Sequence, residues 1–504
     1  MNIFVRESTG LVREVGPFRL LLMSMGYNGF LTIPFVYLAG LYLYGAGSIA
    51  YAALVVSWLM FIPGALLWYY ITRQYPRTAG DYVYFSRLSP PIGFAAWFNF
   101  TVGEMLYDAV LVYFAIAQLG TVMQALNNPL ASVVLNPRNE FILAVILITV
   151  LIMVNVVSAR AGLTMFAVMS LAALATFIAS AIYVLSLPRG IIEGSLGIEY
   201  LKAANEANKV SVTGGLYGLF GMVAFTTAVW AYMNYPVTIG GEIRRDRLTV
   251  LLGIIGVLVL GGLFFTLFVA AFLKGFGLRF YVGASYMSAY GLDNGYILVN
   301  PGADLALMHT PIAIALAYSS VLWYIAPVAG VIVQISRYLL AFSMDRVLPM
   351  ALSYVSLRTH SPIMAHLVDL VVTIALIYIL ILTPLSSALL YAIDLDALVL
   401  LVFTFVVSIL LALVMHVRGI IKLEASKRLL ITLDLVYLMV LSIFVYYWLT
   451  QSQYYLLITG SPLQLLAESS IIFIVGLVVF AAASYIRSKE GIPLSLTYAE
   501  IPPE

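Results

Sequence analysis

Gly26-Tyr27-Asn28-Gly29 stands in the middle of an apolar run from Leu20 to Leu43, and Pro34 follows within the same run. A second interruption, Ala231-Tyr232-Met233-Asn234-Tyr235-Pro236, falls late in the apolar run from Gly215 to Ile239. Helix-breaking residues are tolerated inside lipid-spanning segments only where the freed backbone groups are buried in protein or line a polar cavity. The two runs are the first and sixth of about twelve in the chain. One broken span in each half of a chain is the best sequence pointer to the substrate site of a transporter built from inverted repeats.

The composition agrees. The 504 residues are 63% hydrophobic and only 10% charged, against roughly 25% charged in a soluble domain. No Asp, Glu, Lys or Arg occurs between Arg19 and Arg73, long enough for two helices of about 20 residues each. Spans are expected near 20 to 43, 47 to 72, 92 to 126, 140 to 158, 162 to 187, 215 to 240, 248 to 273, 309 to 342, 362 to 383, 388 to 415, 429 to 450 and 466 to 486. The fold class is an all-α membrane protein of twelve transmembrane helices.

Cytoplasmic loops of membrane proteins collect Lys and Arg. With both termini inside, nineteen of the 25 basic residues fall in inside segments. Arg138, Arg189, Lys202, Lys209, Lys274 and Arg279 are left outside. The first apolar stretch is full spanning length and is followed by many more, so it reads as a membrane span and not as a cleaved signal. There is no cysteine, which excludes disulfides, thiolate metal ligands and a thiol nucleophile. The net charge of +2 implies no nucleic-acid partner. The two long connections, about 188 to 214 and 274 to 308, are either caps over an external vestibule or plain loops.

Three loop patches resemble a known family. Pro76-Arg77-Thr78-Ala79-Gly80-Asp81-Tyr82-Val83-Tyr84 is similar to the P-x-x-G-G-x-Y-x-Y stretch of the amino acid/polyamine/organocation (APC) superfamily, with Ala79 in place of the first glycine. Gly241-Glu242-Ile243-Arg244-Arg245-Asp246 resembles that family's A-E-E-x-K-N-P element, keeping the second acid and a basic residue but not the proline. Ser336-Arg337, then Met344-Asp345-Arg346-Val347-Leu348-Pro349, then Ser361-Pro362 resemble S-R, R-D-G-x-L-P and T-P. The resemblance covers roughly residues 15 to 415 and points to an amino acid permease-like protein.

It implies the LeuT-type fold, in which spans 1 to 5 and 6 to 10 are inverted five-helix repeats and two C-terminal helices are appended. The chain then divides into a cytoplasmic segment (1–18), a transporter core (19–415, with repeats at about 19–187 and 215–415), spans 11 and 12 (416–487) and a cytoplasmic tail (488–504). Substrate in that family is held between spans 1 and 6, with spans 3, 8 and 10 lining the path.

The chemistry of the breaks suits such a site. An unwound helix exposes unpaired N–H groups at one half-helix start and unpaired C=O groups at the other half-helix end, beside partial charges of opposite sign. The amides of Met25, Gly26, Tyr27, Asn28, Gly29 and Phe30 are the candidate cradle for a substrate carboxylate, with an added side-chain donor in Asn28. The carbonyls of Ala231, Tyr232, Met233 and Asn234 are candidates for receiving an amino group. Asn234 stands where the family usually carries an acid. Trp230 and Tyr232, with Tyr107 on span 3, are candidates to close over the ligand.

Six acids lie more than three residues inside these spans, Glu104, Asp108, Asp369, Asp394, Asp396 and Asp434, and a charge costs roughly 2.5 to 3.5 kcal/mol at the bilayer centre. Glu104 and Asp108 share one face of span 3, a turn apart. Glu104 lies about 18 Å from the cytoplasmic end, near the midplane. A protonatable pair at the substrate site suits proton coupling, a cationic substrate, or a protonated carboxyl tied to a neighbouring polar group. Tyr391 and Asp394 stand where an external gate is expected. Asp369 and Asp434 lie off the expected path and read as interhelical hydrogen-bonding groups. No metal site and no cofactor is expected.

A sodium site of the kind found in some LeuT-fold relatives needs hydroxyls in span 8, but Ile325-Ala326-Pro327-Val328-Ala329-Gly330 has none. The lysine that replaces that ion in some proton-coupled members is absent from span 5.

The reading is a plasma-membrane secondary active transporter that imports amino acids or related amines by alternating access, coupled to protons. The alternatives are a polyamine, organocation or amino-acid exchanger, a sodium-coupled symporter, or a non-transporting sensor on the same fold. Neither H-E-x-x-H nor G-x-S-x-G is present, so an enzyme is not expected.

Overall fold

The computed structural model describes residues 9–44, 47–211, 213–292, 294–383, 403–450 and 462–499. Among them are nine helices long and apolar enough to cross a membrane, and one further bent pair, Gly215–Ala224 with Val229–Thr238. The chain is a multi-pass membrane protein. Two shorter apolar helices, Ile33–Tyr44 and Phe403–Arg418, lie in the expected first and tenth spans. The gate residues expected at Tyr391 and Asp394 fall outside the described residues. The expected span numbers are kept below.

Local chemistry sets the helix ends. Asn136 caps Pro137–Val157 by accepting from the Arg138 amide at 3.1 Å. Ser158 caps Ala159–Ser186 through the Ala161 amide at 3.2 Å. Asp246 opens span 7 through the Thr249 amide at 2.8 Å. Such caps satisfy donors that a helix start leaves orphaned. Span 2 is interrupted at Met60-Phe61, between Ile49–Leu59 and Ile62–Gln74, just ahead of Pro63.

Both broken spans are discontinuous. Span 1 runs as Pro17–Tyr27, leaves the helix over Asn28 to Thr32 and resumes at Ile33. Gly29 adopts φ +81°, a left-handed conformation that glycine enters without steric cost. Span 6 breaks at Tyr232 to Asn234, as expected, and also one turn earlier at Phe225-Thr226. The bend across that earlier break is 67°.

Span 3, Pro90–Ala125, is the axis of the bundle: 72% of its apolar window is buried, against 11% for span 12. A helix buried on all sides can present functional groups on several faces. The two long connections are helical caps that pack on each other. Tyr200 stacks on Phe280 at 5.2 Å, and Arg279 Nε donates to the Ala204 carbonyl at 2.9 Å. The Phe35–Tyr296 ring contact at 5.4 Å brings the second cap onto the distal half of span 1.

Candidate functional site

Spans 1, 3 and 6 meet at the two breaks. Tyr27, the last helical residue before the first break, donates its hydroxyl to Glu104 Oε1 at 3.1 Å. Its ring packs edge-on against Tyr232 at 5.5 Å and stacks on Tyr235 at 4.7 Å. Tyr107 stacks on Tyr232 at 6.0 Å, and its hydroxyl lies 3.5 Å from where a Cβ on Gly29 would stand. Phe100, one turn before Glu104, closes on Tyr232 at 6.3 Å. Glu104 is thus held among aromatic rings, with one oxygen engaged.

Several other polar atoms here make no hydrogen bond. Among the described residues, Glu104 Oε2, both Asp108 carboxylate oxygens, both amide atoms of Asn28 and the Trp230 indole N–H are buried without a hydrogen bond. Unpaired buried polar atoms cost about 1–3 kcal/mol each, and native structures keep few of them. These donors and acceptors stand beside the two breaks, where they are available to a polar ligand.

The remaining candidates divide. Met25 and Phe30 are buried, and Phe30 packs its ring on Phe177 of span 5 at 5.7 Å. Ala231 and Asn234 spend their carbonyls locally, on Met233 N at 2.9 Å and on Val237 N at 2.8 Å. Among the described residues, Met233's carbonyl is outside the backbone ladder. The Asn234 side chain donates to Asp81 Oδ2 at 3.0 Å.

That contact belongs to a second cluster, which closes the basal face, where span 1 begins. Asp81, on the short helix Gly80–Ser86, also accepts from Thr238 Oγ1 at 3.0 Å and from the Tyr338 hydroxyl at 2.7 Å on the same oxygen. Burial pushes its carboxyl up to about 6, against the pull of these donors. Beside it, Arg337 grips Glu242 through two bonds of 2.8 and 2.7 Å, fully buried. The Glu242 carbonyl also accepts the Val15 amide at 3.0 Å. Spans 1, 6 and 8 are therefore tied together below the breaks.

On the distal side, Gln118 of span 3 exchanges amide bonds with Asn300 at 2.7 and 3.1 Å and donates to Ser320 of span 8 at 2.7 Å. A water-sized pocket opens there, lined by Leu31, Thr32, Gln118, Asn300 and Trp323 among others. Leu31 and Thr32 belong to the first break, so the pocket leads to it.

The interval between spans 1 and 8 is filled by an aromatic ring. A Cβ on Gly330 would stand 2.7 Å from Phe166 Cζ, and one on Gly26 would stand 3.1 Å from Phe166 Cε2. Sequence reasoning missed Phe166, because an apolar residue in an apolar helix gives no signal. It also missed Asp81, although Asp81 lies in a quoted motif, and Gln118, an isolated amide in a long apolar helix. Asp434 makes the expected interhelical bond, to His416 Nδ1 at 2.6 Å. Asp369 accepts from Thr373 of its own helix at 3.3 Å and lies within electrostatic reach of Asp108.

Two interrupted helices thus meet a buried acid within a chain of apolar spans. The amino acid permease family model matches residues 16–480. The chain belongs to the amino acid permease family. No curated protein matches it. The permease match takes in both breaks, span 3 and the basal cluster, so the geometry above falls within the region that defines the family. Membership makes the permease an amino acid transporter by family, with a small-molecule substrate.

Proposed function

We propose that the permease is a secondary active transporter that imports amino acids or related amines across the plasma membrane by alternating access, coupled to protons. Both termini are cytoplasmic on the strength of the basic-residue distribution, and the two halves of the core are inverted repeats with the broken spans at their interface. The observation that carries the reading is the cluster of unpaired buried polar groups around Glu104 and the two breaks. The substrate carboxylate is assigned to the backbone around Asn28 and Gly29, and its amino group to the Met233 carbonyl and Glu104. Asp108, a turn from Glu104 and near Asp369, is a second proton carrier.

The basal ties of Asp81 and Arg337 and the distal pocket at Leu31 and Thr32 support a conformation closed to the cytoplasm. Import then requires breaking the Asp81 and Glu242 ties while the Gln118–Asn300 contact, already made here, holds the distal side. Phe166 favours protons over sodium, because its ring occupies the space between spans 1 and 8 where a bridging cation would sit. A second reading, exchange of cationic amines, is favoured by the aromatic surround of Glu104.

Replacing Gly29 by leucine tests the site, since Gly29 has φ +81° and faces Tyr107. Binding of a labelled amino acid and polyamine pool should vanish while folded protein is recovered. Unchanged affinity would sink the assignment.

A further inference from the structure

The segment that follows the last span packs back onto the basal cluster. At the end of span 12 the Ile492 amide donates to the Arg487 carbonyl at 2.9 Å, and Gly491 takes φ +78°, a glycine helix stop that reverses the chain. A short turn of helix, Leu494–Thr497, follows, and Leu494 and Tyr498 are each only 3% exposed. Arg487 Nε fixes the approach by donating to the Arg346 carbonyl at 3.1 Å.

Tyr498 completes a chain of hydrogen bonds. Its hydroxyl meets that of Tyr82 at 2.6 Å, and Tyr82 donates to Asp345 Oδ2, also at 2.6 Å. Its ring carries the Arg87 guanidinium 4.9 Å from its centroid and packs on Phe480 at 5.9 Å. Arg87 in turn pairs with Asp345 at 3.7 Å, both buried. Tyr82 is the neighbour of Asp81. The Gly80–Ser86 helix therefore holds span 6 with one residue and is itself held, through the next, by the tail and the end of span 8. Tyr84 adds a third tether, to His416 Nε2 at 3.0 Å.

We propose that residues 491–499 are a built-in latch that clamps the Gly80–Ser86 helix against the end of span 8 and so stabilises the conformation closed to the cytoplasm. The inference rests on the alternating-access reading. If the tail docks only while that helix is in place, each contact it makes shifts the equilibrium toward the closed state, by as much as its preference for that state. Undocking frees Tyr82, weakens the seat of Asp81 and lets span 6 leave span 8 more often. The latch restrains the opening step and leaves the substrate contacts untouched.

The absence of cysteine makes the test direct. Val237, fully buried behind Gly80, is replaced by cysteine, and its reaction rate with a maleimide is followed in the purified full-length permease. Val269→Cys, buried in span 7, reports general loosening. Tyr498→Phe, which loses only the hydroxyl, should speed labelling at position 237 about five-fold, the population change matching one ordinary buried hydrogen bond. Tyr498→Ala should speed it further, and position 269 should not change in either variant. Equal rates at 237 with and without the substitutions, or a parallel rise at 269, would overturn the latch. The readout needs no substrate, so its failure would leave the transport reading standing, and failure of transport would not erase the labelling result.

Discussion

The Tyr27 hydroxyl sits 3.1 Å from Glu104 Oε1, joining the half-helix before the first break to the middle of span 3. In the proposed site this bond links the unwound backbone to the buried acid. Tyr27→Phe keeps the ring contacts to Tyr232 and Tyr235 but removes Glu104's donor. A loss of about 1–3 kcal/mol in stability is expected, measured by denaturation in detergent. In combination with Glu104→Leu, which removes the acceptor, the penalty should be less than additive, because both changes remove the same bond.

Gly26 is demanded by its neighbour. A Cβ there would run into Ser170 Oγ and Cβ on span 5 and press on Phe166. Gly26→Ala should therefore displace the first break, at an overpacking cost of about 1–3 kcal/mol, and weaken substrate binding. Adding Ser170→Gly removes the colliding atoms and should restore most of the affinity. No recovery in the double variant would show that Gly26 acts through something other than this contact.

Arg337 and Glu242 form a bidentate pair with almost no solvent contact. Neutralising one partner leaves a buried charge unpaired, and Glu242→Gln or Arg337→Met should each cost about 3–5 kcal/mol. Replacing both by apolar residues should cost less than either single change. The comparison is made on thermal stability of the purified protein.

Asp81 provides a pH signature. Its carboxyl is pushed by burial up to about 6, above the ordinary 3.8. A raised carboxyl binds its proton more tightly in the folded state, so its stabilising contribution is complete below about pH 4 and lost as pH rises through 6. The loss is of order 3 kcal/mol at neutral pH. Stability of the permease should fall across that window, and Asp81→Asn should flatten this part of the profile. An unchanged slope in the variant would contradict the assignment.

Nine long spans, both breaks and the buried acid of span 3 were legible in the sequence, because apolar run length, glycine and proline placement and a charge in lipid are all local signals. Tyr27, Tyr107 and Tyr232 were legible as candidates for the same reason, since each sits at a break or one turn from the acid. What the sequence could not carry depends on tertiary contact. Asn234 was read as a substrate group from its position at the break, but its side chain turns to Asp81, a residue of a loop motif 153 positions away. Phe166 is indistinguishable in sequence from any lipid-facing phenylalanine, and only the glycines at 26 and 330 opposite it reveal its place. The first break of span 6, at Phe225-Thr226, carries no glycine or proline and left no mark.

The most direct test is uptake of a labelled amino acid and polyamine pool into sodium-free proteoliposomes under an inward proton gradient, with Glu104→Gln measured alongside. The account predicts accumulation by the permease that collapses when the gradient is dissipated and is lost in the variant. Uptake that requires sodium or internal substrate, or that survives in Glu104→Gln, would contradict proton coupling through the span 3 acid.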